Sequence, residues 1–383
     1  MELWTPGHNF ITDSLIMWGL ISILDTDCKG KVIGTGGRYR IILEGDCKLE
    51  ERLIDMLKDK VTTETKGKRT RYVLQDDRFS ASVDFNTRDG SAESVAKVVE
   101  ELKEGSIKLK DVFSFNHIEN FDEGRLGRAK NLKSLYVPFS GVYGKFLTTD
   151  FKYEDRPYKV CYYCITLSYL GFTNSVSVVK RKTERLYFIL GFEGEASIDG
   201  LRSLLNPIWY KEGEKSLSRA LSFRSKKEAA LSPLSLSLIY LTKVDVTRRQ
   251  ILSSASWLMG IIGYDVGSLK RVTKFHLVEL ASIIDLIDKL TYIYPSFGRL
   301  VDELLDPVAI ENDSDLVLNQ ISELSFNRSL DTVYSAIRNF RVLLKRLESI
   351  PQKDKKKAQA TKLHKSLSSL ISTKFGEALI SLL

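Results

Sequence analysis

The residues with the greatest capacity for chemistry include four cysteines, and their spacing limits what they can do. Cys161 and Cys164 form a CxxC pair, and Cys28 and Cys47 stand alone. Four thiols can hold zinc, but Cys28 and Cys47 lack the tight spacing of a second half-site. In a helix Cys161 and Cys164 share a face with apolar residues. We therefore predict core cysteines and no bound metal.

The chain also has four histidines, which could bind a metal or activate a nucleophile. None belongs to an HxxEH, a histidine–aspartate doublet or a GxSxG, so the sequence predicts no catalytic residue. His276 is interpreted as a core or boundary residue and His364 as a solvated one. His8 and His117 fall in polar loops, where either could contact a partner.

A few carboxylates leave one enzymatic alternative open. Asp76, Asp77 and Asp84 lie near basic residues, and paired carboxylates can bind Mg²⁺ in a nuclease. Asp76 and Asp77 also suit a turn between two strands, which is the interpretation we prefer. The sequence therefore favours a non-enzymatic protein that needs no cofactor.

Basic residues indicate a polyanionic partner. The net charge is +8, from 57 Lys and Arg against 49 Asp and Glu. Any single basic cluster can be a solvated face, but six recur, mostly at loops and tips, and cations of this kind bind phosphate without sequence preference. The clusters begin at Lys66, Arg125, Lys180, Arg224, Lys270 and Lys353.

Three turns combine cations with other groups suited to nucleic acid. The glycine turn Gly34–Gly37 is no Walker A loop, since no GK[ST] follows; it is a hairpin tip or a place where backbone approaches phosphate. The loop Asn116–Lys133 adds side chains that hydrogen-bond base edges. The predicted contacts are Gly36, Gly37, Arg38, Asn116, His117, Arg125, Arg128, Lys130, Lys180, Arg181 and Lys182.

Two helix–hairpin units are predicted to position these turns. In the first, an apolar helix over Asn9–Leu24 precedes strands around the glycine turn. In the second, a helix that starts at Pro157 and stops at Gly171 precedes strands over Ser175–Val179 and Arg185–Phe192.

The two units share short segments. Trp18–Leu20 resembles Leu170–Phe172, and Ile41–Gly45 resembles Phe188–Phe192. An internal duplication would explain this likeness, although a helix followed by a hairpin is also a common local arrangement.

The pattern changes near residue 246. Before it, Pro233–Tyr240 alternates apolar and polar residues as a strand does. After it, apolar residues recur at three- and four-residue spacing over Thr247–Ile262, Ser268–Tyr294 and three later segments, which predicts an antiparallel helical bundle. The predicted fold is α+β: a mixed α/β domain with helix–hairpin units over 1–245, then an all-helical bundle over 246–383.

Composition and leader signals predict the compartment. No basic region follows Met1, and the longest apolar runs are too short to span a bilayer. We therefore expect a cytoplasmic, reducing location without disulfides. Glutamine occurs only five times while Lys, Arg and Glu abound, a bias found in hyperthermophiles.

A family resemblance joins these features. The opening GHNFITDSLIMWGL (Gly7–Leu20), the central CYYCITLSYLGF (Cys161–Phe172) with its hairpin, and the helical tail resemble the large subunit of archaeal type I-A CRISPR interference (Cascade) complexes. The resemblance covers most of the chain as a layout. Relatives with a zinc-binding insertion have more complete cysteine sets, which also argues against a metal here.

The resemblance implies a non-catalytic scaffold for antiviral defence. Such a subunit sits at the 5′-handle end of the crRNA, beside the crRNA-backbone, handle-capping and small subunits. It recognises the protospacer-adjacent motif in target duplex DNA, helps open the duplex and contacts the nuclease–helicase. An architectural DNA- or RNA-binding protein outside CRISPR systems is the alternative, and no membrane partner is expected.

Overall fold

The computed structural model describes most of the chain, with gaps that fall largely in the first half. The described residues are 1–66, 69–74, 91–117, 133–134, 159–180, 184–205, 207–222, 231–265, 271–351, 356–370 and 373–382.

Helices and strands are both abundant, so the predicted α+β fold class is confirmed. The strands are β1 Glu2–Trp4, β2 Lys29–Thr35, β3 Arg38–Glu44, β4 Val61–Lys66, β5 Arg69–Leu74, β6 Lys133–Ser134, β7 Lys159–Val160, β8 Ser177–Lys180, β9 Glu184–Ser197, β10 Ser256–Asp265 and β11 Arg271–Glu279. The helices are α1 Phe10–Ile23, α2 Leu49–Leu57, α3 Ser91–Lys103, α4 Leu109–Val112, α5 Tyr162–Ser175, α6 Ile198–Leu204, α7 Pro207–Ser222, α8 Pro233–Leu241, α9 Val246–Ser253, α10 Ala281–Ile293, α11 Phe297–Leu304, α12 Pro307–Glu311, α13 Ser314–Glu323, α14 Leu330–Ser349, α15 Lys357–Leu370 and α16 Thr373–Ile380.

The chain forms two compact units, each made of two stretches of sequence. The first comprises Met1–Pro207 and Ser254–Leu277, and the second Ile208–Ser253 and Val278–Leu383. The division predicted from the sequence treats each domain as one continuous stretch, whereas each unit here takes residues from both sides of position 246.

A seven-stranded sheet organises the first unit. Its order is β1–β3–β2–β9–β10–β11, and β8 also pairs with β9. The long strand β9 lies at the centre: β10 runs antiparallel along one edge, while β8 and then β2 pair with the other. Residues 186–192 of β9 are buried without alternation, because both faces of the sheet are covered there.

Helices α1 and α5 meet through their backbones. Both are buried on nearly all sides. A Cβ added at Gly19 would overlap the carbonyl of Leu167, and one added at Gly171 would overlap the carbonyl of Leu15. Each contact thus joins a glycine of one helix to the residue four positions before the glycine of the other. Gly171 therefore lies inside α5, and the prediction that the helix stops at Gly171 is wrong.

The caps of the two helices also correspond. Asn9 caps α1 and Cys161 caps α5, each ten positions before the glycine, and each accepts a hydrogen bond from the amide three residues later. Both helices lead into antiparallel hairpins of the same sheet, β2–β3 and β8–β9. The structure supports the hypothesis that the two helix–hairpin units are a duplicated motif.

Three predicted elements around residue 246 are wrong in whole or in part. Residues 233–241 form helix α8 instead of a strand: the Ser232 hydroxyl caps it and Pro233 occupies its first turn. The serines that suggested alternation are buried, and Ser235 and Ser237 donate hydrogen bonds to Asn319 Oδ1 and to the Pro233 carbonyl. A helix buried on all sides lacks the amphipathic periodicity that would identify it.

The helices predicted over Thr247–Ile262 and Ser268–Tyr294 are only partly helical: β10 and β11 lie between α9, which ends at Ser253, and α10, which begins at Ala281. Strand β10 lies between two neighbours in the sheet, and its residues Met259–Gly263 are buried on both faces. A strand covered on both sides shows a continuous apolar run, which periodicity cannot distinguish from a buried helix.

The regular secondary structure in the described residues of the second unit is helical, apart from the last two residues of β11. Helices α13 and α14 agree with the helices predicted over Asp313–Leu324 and Ser329–Ser349, and the last predicted helix, Ala358–Leu382, covers α15 and α16. Arg249, which is 6% exposed, donates to Asp288 over 2.7 Å and ties α9 to α10. None of the helices in the described ranges combines the length and the apolar character needed to cross a membrane.

Cys28 and Cys47 form a disulfide, so the expectation of none is wrong. The bond joins the residue before β2 to a residue just after β3, and it closes the open end of that hairpin. A crosslink over a loop of this size stabilises by about 3 kcal/mol in the loop-entropy estimate. Intracellular hyperthermophile proteins are a known exception to the reducing-compartment rule, in line with the composition.

We predict that Gly19→Ala lowers the free energy of unfolding by about 1–3 kcal/mol, because the methyl group meets a backbone carbonyl that cannot move aside cheaply. Gly376→Ala is the matched control: it is also in a helix, with no atom near the added Cβ, and should stabilise by up to about 1 kcal/mol. Urea denaturation followed by circular dichroism measures both. Equal effects of the two substitutions would contradict the close contact.

Candidate functional site

The described residues include six of the eleven predicted nucleic-acid contacts. The other five, Arg125, Arg128, Lys130, Arg181 and Lys182, lie outside the described residues, as do Asp76, Asp77 and Asp84 of the nuclease alternative.

The glycine turn is the tip of the β2–β3 hairpin. Gly36 and Gly37 adopt φ values of 57° and 81°, in the left-handed region that a two-residue hairpin turn requires. Gly36 is exposed, and a Cβ added to it would meet no atom within 4 Å, whereas Gly37 packs against the backbone of Phe10. The tip therefore offers bare backbone at Gly36.

Arg38 is held between two aromatic rings. Its guanidinium lies 5.2 Å from the ring centre of Trp4 and 4.6 Å from that of Phe115. It also donates to the carbonyls of Thr5, over 2.7 Å, and Phe115. Hydrogen bonds and cation–π contacts of this kind fix the side chain, so Arg38 joins the hairpin to the segment after α4.

This clamp brings two predicted turns together. Asn116 is exposed, and Phe115 is 61% exposed despite its contacts with Trp4 and Arg38. We call Gly36, Gly37, Arg38, Phe115 and Asn116 the Arg38 surface. It combines open backbone, a cation, an aromatic ring and an amide able to read a base edge.

Lys180 lies elsewhere. It is exposed at the end of β8, and in the antiparallel ladder its backbone lies opposite Arg185 near the start of β9. The glycine hairpin instead meets β9 at Gly194. Nine residues of strand separate the two positions, about 30 Å of extended chain. The Lys180 tip and the Arg38 surface are therefore two separate places on the first unit.

His117 is not an exposed loop residue. Only 2% of it is exposed, and its ring stacks on Phe113 with 5.6 Å between the ring centres. Its Nε2 faces two buried sulfurs, Cys164 Sγ at 3.4 Å and Cys161 Sγ at 3.7 Å. His117 is therefore too buried to contact a base edge, and its prediction as a nucleic-acid contact is wrong.

His8 completes this group, and we call His8, His117, Cys161 and Cys164 the Cys–His cluster. His8 Nε2 lies 3.4 Å from Cys164 Sγ, and the two sulfurs are 3.4 Å apart. The ligating atoms of His8, His117 and Cys164 all lie within 4.8 Å of one another. The two cysteines are buried and free, as predicted for core thiols, but the imidazoles beside them were not predicted.

Local structure holds each member in place. Asp13, buried in α1, accepts hydrogen bonds from the amides of Gly7 (2.8 Å) and Asn9 (3.0 Å) and so fixes the loop that carries His8. The Val112 carbonyl lies 2.5 Å from His117 Nδ1. The Cys161 sulfur accepts from the Cys164 amide at the start of α5, a position that favours a thiolate.

The pKa values in the cluster diverge. Burial, with the nearby His117, lowers the pKa of His8 to about 3. Burial alone would raise the pKa of Cys161, but hydrogen bonds from Cys164 and His117 bring it well below its usual value. Burial and the Cys161 sulfur raise the pKa of Cys164. Burial also opposes protonation of His117, yet its contact with Cys161 gives it a raised pKa.

A groove in the second unit is another candidate for binding a polyanion. Its cavity volume is about 600 Å³, and Arg299, Lys362 and Lys365 line it. Glu303 and Asp306 line it as well, so its charge is mixed. It is a weaker candidate for nucleic acid than the Arg38 surface.

Sequence reasoning missed the Cys–His cluster because its members come from three distant segments. A CxxC pair at the start of a helix was the visible signal, and the search for its complement considered only the other cysteines. The aromatic partners of Arg38 were missed for the same reason.

The fold and these sites define a two-unit α+β protein with a turn-borne cationic surface and a buried cluster of soft ligands. The model of the family described as CRISPR-associated protein (Cas_Csa4) matches residues 1–355. The chain belongs to this family, and its resemblance to the large subunit of type I-A Cascade complexes is confirmed.

A curated relative supports the assignment. The "CRISPR system associated protein Cas8" of the thermophile Thermoproteus tenax is 30% identical over 196 residues, which cover 48% of this chain and 53% of that protein. The chain thus spans about half the length of the curated relative that it matches.

We predict that Arg38→Ala lowers the free energy of unfolding by about 1.5–3 kcal/mol, because two charge-assisted hydrogen bonds and both ring contacts are lost. Arg40→Ala, on the same strand, is the control: Arg40 pairs with Glu2 at the surface and should matter less. Urea denaturation of both variants provides the measurement. A loss at Arg40 as large as that at Arg38 would argue against the clamp.

Proposed function

We propose that this chain acts as the non-catalytic large subunit of a crRNA-guided type I-A surveillance complex. In this role it contacts target duplex DNA, recognises the protospacer-adjacent motif and assists R-loop formation. It works beside the crRNA, the crRNA-backbone, handle-capping and small subunits, and it recruits the nuclease–helicase. Family membership across residues 1–355 carries the assignment to the complex.

The Arg38 surface is the proposed place of motif recognition. The observation that supports it is the exposed Asn116 beside an exposed glycine turn, joined to it through Arg38. An asparagine amide can bond adenine in the major groove bidentately, while bare backbone at Gly36 can approach a phosphate. One part of the surface then positions the duplex and the other reads it.

The Lys180 tip is proposed to add affinity further along the DNA. Its exposed cation on a hairpin end suits a phosphate contact, which carries no sequence information. Opening the duplex requires no active site, because the R-loop exchanges one duplex for a heteroduplex of similar stability. Contacts to the DNA backbone, such as the one proposed for Lys180, are sufficient to shift this balance toward the R-loop.

We predict that Asn116→Ala and the pair Lys180→Ala with Arg181→Ala have different effects in the assembled complex. Asn116→Ala should reduce the preference for the correct motif by about 1–3 kcal/mol and leave background binding intact. The basic pair should weaken all DNA alike and reduce the salt slope by up to about two units.

Fluorescence titrations of matched motif and non-motif duplexes at several salt concentrations measure both effects. Lys29→Ala, whose ammonium pairs with Asp199, is the control and should change neither quantity. Motif preference that survives Asn116→Ala at full strength would remove the Arg38 surface from the proposal and turn attention to Lys353–Lys357.

We predict that the purified chain does not cleave DNA or RNA with Mg²⁺ or Mn²⁺. The sequence motivates this, since it assembles no nucleophile or phosphate-binding motif. A gel assay with labelled single- and double-stranded substrates measures it. Cleavage that disappears with Asp77→Ala or Asp84→Ala would establish the nuclease alternative instead.

A further inference from the structure

We propose that His8, His117, Cys161 and Cys164 bind one structural zinc ion. This site is independent of the proposed nucleic-acid role and of any other subunit. The sequence argued against a metal because Cys28 and Cys47 could not complete the CxxC pair. The structure removes that premise: those two cysteines form a disulfide, and two histidines occupy the places beside the CxxC pair instead.

Four of the six separations between the ligating atoms are close to those of a tetrahedral ion. With Zn–S near 2.3 Å and Zn–N near 2.0–2.1 Å, the edges of the tetrahedron are about 3.8 Å between two sulfurs and about 3.6 Å between sulfur and nitrogen. In the structure the sulfurs are 3.4 Å apart, and three sulfur–nitrogen separations are 3.4, 3.4 and 3.7 Å. The ligating atoms of His8, His117 and Cys164 already lie within 4.8 Å of one another, and the Cys161 sulfur has to move closer to His8 to complete a four-ligand site.

The surroundings orient the ligands as a metal site requires. An Nδ1–H of His117 donates to the Val112 carbonyl, which leaves the Nε2 lone pair facing the sulfurs. Metal-bound histidines usually make this second hydrogen bond, which fixes the tautomer. The Cys164 amide supports the Cys161 sulfur, and Asp13 holds the loop of His8 through two backbone amides.

The type of ligand and the burial select zinc in a structural role. Thiolates and imidazoles suit zinc, whereas Mg²⁺ and Ca²⁺ require oxygen ligands. Cys161 and His117 are each 2% exposed and Cys164 is fully buried. Four protein ligands in a closed site leave no position for a water or a substrate, which separates structural zinc sites from catalytic ones.

The ion would join three distant segments of the first unit. His8 precedes α1, Cys161 and Cys164 begin α5, and His117 follows α4. His117 and Cys161 also bracket residues 118–160, which include the predicted contacts Arg125, Arg128 and Lys130. Zinc would close the base of this segment and would keep the thiols of Cys161 and Cys164 from oxidising to a disulfide.

The test is the metal content of untagged full-length protein, measured by plasma mass spectrometry after gel filtration with a mild chelator. We expect one zinc per chain, and its loss in Cys161→Ser with Cys164→Ser and in His117→Gln. Two controls match these residue types: Cys28→Ser with Cys47→Ser removes the disulfide, and His364→Gln changes a histidine outside the cluster. Both should retain one zinc.

A second measurement uses only the wild-type chain, so it does not depend on the folding of the variants. Removal of the ion with a strong chelator should lower the melting temperature, and zinc should restore it. Cobalt in its place should give the intense visible spectrum of tetrahedral thiolate coordination. The site would be refuted if wild-type protein contained no zinc and its melting temperature changed neither with the chelator nor with added zinc. Zinc that persists in both cluster variants would refute it equally.

Discussion

The contact between the backbones of α1 and α5 is the constraint on which the first unit depends. Glycine is the only residue that fits at Gly19 and Gly171, since any side chain there would meet a carbonyl of the partner helix. Close approach of the helices brings their N-terminal ends together, so that His8 lies against Cys164. The hairpins that follow the helices then pair in a single sheet.

Polar bonds fix the first helix on that sheet. The indole of Trp18 donates to the Leu190 carbonyl over 2.6 Å, and its ring stacks on Trp257 of β10. The buried Tyr39 hydroxyl accepts from the amide of Phe192 and lies 2.9 Å from the hydroxyl of Ser14. Buried polar groups are costly unless bonded, so these pairings admit one position of α1 over β9.

The segment from Val112 to His117 links this framework to the proposed function. At one end its carbonyl at Val112 orients His117 in the Cys–His cluster, and near the other the Phe115 carbonyl accepts from Arg38. The His117 contact is buried and the Arg38 contact lies at the surface, beside the exposed side chains of Phe115 and Asn116. Residues that read DNA perform best on a backbone that is fixed beforehand, and these two anchors provide such a support.

Local signals in the sequence determined the elements whose exposed face or ends are distinctive. The glycine turn at Gly36 and the three- and four-residue apolar spacing of α14 both predicted the structure correctly, because each depends on neighbours a few residues away. The α+β class and the resemblance to the CRISPR large subunit followed from such segments.

Only the tertiary structure decided which segments are buried on every side and which distant side chains meet. Full burial removes the periodicity that separates helix from strand, so α8 and β10 were assigned to the wrong class. Chain closure over long distances brought His8 and His117 to the CxxC pair, and Cys28 to Cys47. A local sequence pattern does not predict such long-range contacts, because they depend on how the whole chain packs.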